Sequence, residues 1–141
     1  MQLEISDPKN LLDRSFILWL KVKIRDKILA DLDLKKLIVW DKYLNENNVY
    51  KSIYKKQINT RDIIVAGAMN LDFSKSESNF MIYINRNIFT PGLDRIKLES
   101  ICKLINFGDL GIKGYTIFTN TFDYFAESIQ DYVDSYLHGM L

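Results

Sequence analysis

The stretch DPKNLLDRSFILWLKVKIRDKIL, residues 7–29, carries two incompatible periodicities, and the choice between them decides the fold. Leu12, Phe16, Leu20, Ile24 and Ile28 recur every four residues, as along one face of an α-helix. Leu11, Leu18, Val22 and Leu29 widen that stripe. Inside it, Leu20-Lys21-Val22-Lys23-Ile24 alternates as a strand would. The ladder spans seventeen positions and the alternation only five, so the reading is a helix from about residue 8 to 31. Asp7-Pro8 supplies a start, because the carboxylate (or the Ser6 hydroxyl) can accept a free backbone N–H and proline suits the first helical position.

Downstream, Leu37-Ile38-Val39-Trp40 reads as a short strand, Asn45 to Asn48 as a turn, and Val49 to Ile58 as a second strand. Asp62 to Gly67 and Asn79 to Asn85 are stronger strand patterns, rich in β-branched and aromatic residues, with Ser74 to Ser78 as a polar hairpin loop. Thr90-Pro91 predicts a helix start, Leu93, Ile96, Ile101, Leu104 and Ile105 its buried side, and Gly108 its stop. Ile112 to Phe118 reads as a strand. Thr119 or Asn120 then caps a final helix with Phe122, Phe125, Ile129, Val133 and Tyr136 as its apolar stripe. The expected fold is α+β: a single domain over residues 1–141, mainly an antiparallel sheet of about four to five strands. An N-terminal helix and two C-terminal helices pack on that sheet.

At 141 residues the chain can bury roughly 70% of its unfolded surface. With 48% hydrophobic and 26% charged residues it has the composition of a soluble globular protein. The net charge of +1 speaks against a dedicated nucleic-acid-binding domain. Apolar runs such as Phe16 to Leu20, five residues, fall far short of the ~20 that cross a bilayer. The start of the chain lacks the basic and apolar segments of a signal peptide, so no membrane association is expected.

The charges are segregated. Between Lys21 and Arg61 stand eleven Lys and Arg against five Asp and Glu, whereas Thr121 to His138 holds Asp123, Glu127, Asp131 and Asp134 with no Lys or Arg. At i, i+4 and i+3 spacing these carboxylates share a helix face and repel one another. Asp131 and Asp134 also lie toward the negative end of the helix dipole. Tyr124, Tyr132 and Tyr136 share that helix, and tyrosine with a polar rim is favoured at protein–protein contacts.

Other chemistries find little support. One His and one Cys, thirty-six residues apart, do not make a zinc site, and an all-carboxylate magnesium or calcium site is less expected than a partner-facing surface. His138, near the end of a helix, is a poor base for a nucleophile. Cys102 falls on an apolar face and reads as a buried, inert thiol. Gly108, Gly111 and Gly114 follow a helix and precede a strand, the reverse of a dinucleotide fingerprint. Neither catalytic residues nor a cofactor are expected. Tyr50-Lys51-Ser52-Ile53-Tyr54-Lys55-Lys56 mixes aromatics and lysines as single-strand nucleic-acid platforms do, which leaves a small nucleic-acid-associated accessory protein as the alternative function.

The order of an N-terminal helix, strands through Ile84, a helix over Leu93 to Ile105, and Ile112-Lys113-Gly114-Tyr115-Thr116-Ile117-Phe118-Thr119 leading into a last helix resembles small α/β phage proteins. These are the tail-terminator and head–tail connector (tail-completion) ring proteins. The resemblance implies a non-enzymatic structural subunit of a virion tail or neck, assembled in the host cytoplasm as a homo-oligomeric ring with other assembly proteins. On that reading Asp123, Glu127, Asp131, Asp134 and Tyr132 face a neighbour or a lumen, and Lys51, Lys55, Lys56 and Arg61 form the complementary basic patch.

Overall fold

A computed structural model of the chain describes residues 1–47 and 57–139. The first element is a strand, β1 (Gln2–Ser6), followed by helices α1 (Arg14–Ala30), α2 (Leu34–Glu46) and α3 (Thr60–Met69). A hairpin of β2 (Leu71–Ser76) and β3 (Asn79–Ile84) comes next, then a second hairpin of β4 (Phe89–Thr90) and β5 (Leu93–Lys97). The chain closes with α4 (Leu98–Phe107), a two-residue pairing of β6 (Gly108–Asp109) with β7 (Ile112–Lys113), and α5 (Ile117–Gly139). The class is mixed, with antiparallel sheets, as expected. Among the described residues the main sheet has three strands in the order β1-β3-β2, with two small two-stranded sheets beside it, rather than the four to five strands of the sequence reading.

The sheet buries one face. Leu3 and Ile5 pair with Ile82 and Phe80 across β1 and β3, and Leu71 and Phe73 pair with Ile84 and Ile82 across β2 and β3. All but Phe73 are buried, while Gln2, Glu4 and Ser6 alternate to the exposed side. Period-two alternation across one half-buried sheet is the physical reason these short segments are strands. Helix α5 packs on β1 and on α1, and α1 in turn packs on α3. Phe16, Leu20, Ile24 and Ile28 of the ladder are fully buried, so the four-residue period prevails over the alternation.

Several expectations are corrected. The first helix starts at Arg14, not residue 8: Asp7 does accept the backbone N–H groups of Leu11 and Leu12 (2.9 and 3.0 Å), but Asn10 is left-handed (φ 53°) and interrupts the turn. Asp13 then caps α1 by accepting from Phe16 N–H at 3.0 Å. Residues 37–40 and 62–67 are helical, within α2 and α3. Asp33 and Asn59 accept from Lys35 and Asp62 N–H just upstream of each run, and such caps outweigh a weak β preference. Asn45 and Glu46 close α2, so the expected turn at 45–48 is helix at its start, and the strand expected over residues 49–58 falls largely outside the described residues.

The loop expected over Ser74 to Ser78 is mostly strand, with only Glu77 and Ser78 left between β2 and β3. Thr90-Pro91 opens a hairpin rather than a helix, because Gly92 (φ 79°) completes a tight turn with Pro91. Residues 93–97 are therefore strand and the helix begins only at Leu98. The strand expected over 112–118 is two residues long.

The junction between α4 and α5 is tight. Gly108 (φ 84°) ends α4 as expected, and a Cβ on Gly114 would collide with the backbone of Asn106 and Phe107. The fully buried Asn106 of α4 accepts from both Phe118 and Thr119 N–H at 3.1 Å, which caps α5 from outside its own sequence. Neither Thr119 nor Asn120, the expected caps, holds that position; both lie within the helix and turn toward Thr116. Replacing Asn106 by Ala leaves these two donors without their acceptor, at a cost of about 2 kcal/mol. The urea midpoint should fall with an unchanged slope, while Asn106→Asp, which keeps an acceptor, should lose less.

Candidate functional site

Helix α5 is anchored on one side only. Phe118, Phe122 and Phe125 are buried, and Ile129, Tyr132, Val133 and Tyr136 continue the stripe onto the core at its edge. The contact with α1 is aromatic. Tyr136 meets Phe16 edge-on at 5.2 Å and Trp19 at 5.7 Å, and Tyr132 meets Trp19 at 5.9 Å and Phe125 at 4.9 Å. Ring pairs at these separations favour tilted and edge-on geometry. The Tyr136 hydroxyl donates to Asp13 Oδ1 at 3.3 Å, and Lys27 Nζ stands 4.7 Å from the Tyr124 ring centre.

Desolvation raises the phenol pKa values of Tyr132 and Tyr136 above their ordinary range, reinforced by Tyr124 beside the first and by Asp13 beside the second. Tyr132, expected at a partner interface, is half-buried within its own molecule.

The opposite side of α5 carries the charge. Asp123, Glu127, Asp131 and Asp134 are all exposed. Among the described residues none of the four forms a salt bridge; the four ion pairs join Arg25–Asp26, Lys27–Asp31, Arg86–Glu99 and Lys103–Glu99. Asp134 accepts from Gln130 at 2.9 Å, a turn earlier on the same helix. Beside this row runs a groove of about 230 Å³ lined by Tyr124, Ser128, Asp131, Tyr132 and Ser135. The two serines leave it open, and the tyrosines form its wall.

Of the expected basic patch only Arg61 lies among the described residues. Lys51, Lys55 and Lys56 lie outside the described residues, and Arg61 is exposed at the start of α3, which packs on α1, α2 and α4. The lysines of α1 nearest to α5 lie over aromatic rings, Lys23 over Trp19 and Lys27 over Tyr124, rather than against its carboxylates.

A second surface was hidden by reading residues 37–40 as a strand. In α2 the buried side is Leu37, Trp40 and Leu44. Opposite them the helical period places Lys35, Ile38, Val39 and Lys42, with Leu34 at the edge. Leu34, Ile38 and Val39 are 71%, 58% and 54% exposed. The seven-residue spacing of Lys35 and Lys42 around an apolar pair is a helical signal present in the sequence.

Among the described residues no group of three or more His, Cys, Asp or Glu is placed to hold a metal ion, and no helix is long and apolar enough to cross a membrane. His138 is exposed in the last turn of α5. No protein-family model, curated protein or solved structure matches the chain.

Cys102 is fully buried, its sulfur 3.9 Å from the Ile63 carbonyl oxygen and close to Gly67. Burial, with Glu99 adding to it, pushes the thiol well above its ordinary range. It should not react with a thiol reagent until the protein unfolds. A thiol that ionises only in the unfolded chain also makes stability fall as pH rises above ~8.5, by up to about 1.4 kcal/mol per pH unit. Cys102→Ala should flatten that slope between about pH 8.5 and 9 in denaturant titrations, well below the tyrosine midpoint of about 10.

Proposed function

We propose that this chain is a non-enzymatic structural subunit that acts through protein–protein contacts, in a ring of copies at a virion tail or neck. One observation carries the reading: a 23-residue helix fixed along one side by an aromatic seam presents four exposed carboxylates on the other. Apart from the Gln130–Asp134 hydrogen bond, nothing in α5 itself rewards that row. Charges of one sign at i, i+3 and i+4 repel, and Asp131 and Asp134 oppose the helix dipole. An opposite charge on a neighbouring subunit gives them a favourable role, and charged contacts of this kind select partners and fix register.

The reading predicts a concentration-dependent mass in light scattering and closed particles in negative stain. Asp131→Lys/Asp134→Lys should weaken association by about tenfold or more, since opposed charges become like charges. The same change relieves repulsion within the helix, so the thermal midpoint should stay within about 2 °C of the parent or rise. A parent protein that stays monomeric at every concentration would remove the proposal.

A further inference from the structure

Deepening the self-assembly reading, on which it rests, we propose that α5 of one copy docks in parallel along the exposed face of α2 in the next copy. Lys35 then opposes Glu127, Lys42 opposes Asp134, and Glu46 opposes His138. The two helices carry the same spacing with opposite chemistry. In α2 the groups at positions 35, 42 and 46 are cation, cation and carboxylate; in α5 those at 127, 134 and 138 are carboxylate, carboxylate and imidazole. Each set is offset by seven and then four residues, so it stays on one face of its helix and spans roughly 16 Å. All six side chains belong to exposed residues.

Among the described residues, none of Lys35, Lys42, Glu46, Glu127 or Asp134 has an ion pair within its own copy. An antiparallel approach through the same two lysines would instead set Glu46 opposite Asp123, a like-charge contact. The parallel register avoids it and places Asp131 between the two lysines.

Apolar surface follows the same register. Leu34 and Ile38 lie on one flank of the Lys35–Lys42 row, and Tyr124, Ser128 and Ser135 on one flank of the carboxylate row. Two parallel helices facing each other bring these two flanks to the same side of the contact. The side chains of Leu34 and Ile38, among the most exposed aliphatics of the fold, would enter the 230 Å³ groove beside α5. Burying them removes large apolar groups from water, while the rim charges set the register. Each copy uses α2 toward one neighbour and α5 toward another, so the contact is head-to-tail and propagates until it closes.

Charge reversal tests this directly. Lys35→Glu/Lys42→Glu makes both faces acidic, and Glu127→Lys/Asp134→Lys makes both basic. Each protein alone should lose association by about tenfold or more in sedimentation, with unchanged circular dichroism. An equimolar mixture should regain it, because the basic α2 of one now meets the acidic α5 of the other, and the reverse.

If the α2 reversal assembles as well as the parent, the docking site is wrong while the self-assembly reading stands. If both reversals dissociate and the mixture does not recover, the register is wrong. If the parent never associates, both fall. Should a reversal unfold the chain, Lys35→Gln/Lys42→Gln carries the test, with an expected loss of at least about threefold; no loss would overturn the docking.

Discussion

Two backbone N–H groups at the start of the last helix end on one buried oxygen, Asn106 Oδ1, and the exposed surface of α5 depends on that junction. A helix start needs acceptors for its free donors, and here the acceptor comes from α4, about a dozen residues back along the chain. Asn106 also donates to Thr119 Oγ1 at 3.5 Å, so its amide is engaged at both ends. The link holds only because the connection folds back sharply. Gly108 takes a left-handed conformation, Gly114 passes against the backbone of Asn106 and Phe107, and Tyr115 N–H donates to the Ile105 carbonyl at 2.7 Å. With its first turn fixed, α5 runs over β1 and α1 with its stripe of Phe122, Phe125 and Ile129 turned inward. The carboxylates have only the outside left.

The same logic of local donors and acceptors decides what could be read in the sequence. The long helical ladder of α1, the strand at Asn79–Ile84, the stop at Gly108 and the apolar stripe of α5 are legible because each is a strong periodicity or a residue with one conformational role. The misreadings at 37–40 and 62–67 come from taking β-branched composition as decisive. In both places an Asp or Asn cap stands just upstream, and the residues that become buried (Leu37, Trp40 and Leu44; Ile63, Ile64, Gly67 and Ala68) share one side of a helix. Gly67, in the last turn of α3, is there for space: a Cβ would lie 3.0 Å from Cys102 Sγ and 3.0 Å from a ring carbon of Phe118.

Strand β1 is a different case. Its alternation is complete over Gln2 to Ser6, but five residues carry little weight until a partner is known, and that partner, β3, lies some eighty residues away. Long-range pairing of this kind leaves no mark within either segment alone. Tyr115 shows the same limit: its hydroxyl accepts from Asp33 N–H and donates to the Asp31 carbonyl, both at 2.9 Å, pinning the α1–α2 corner from across the fold. Burial raises its phenol pKa.

The segregation of charge that is plain in the sequence has a more specific meaning once the helices are in place. Lysines of α1 border α5, but Lys23 and Lys27 lie over aromatic rings, and Lys27 also pairs with Asp31. The seam between the two helices is therefore built from rings, and the acidic row stays outside it. A two-fold pairing of that row with itself would set four carboxylates against four, a like-charge contact that symmetry makes unavoidable. A contact with a different surface carries no such cost. Helix α2, which packs on α3 and away from the aromatic seam, offers one with exposed aliphatics set between lysines. On the proposed docking, two unlike faces on one small fold favour growth by rotation over closure as a dimer, and the number of copies would be set by the angle between α2 and α5 within each subunit.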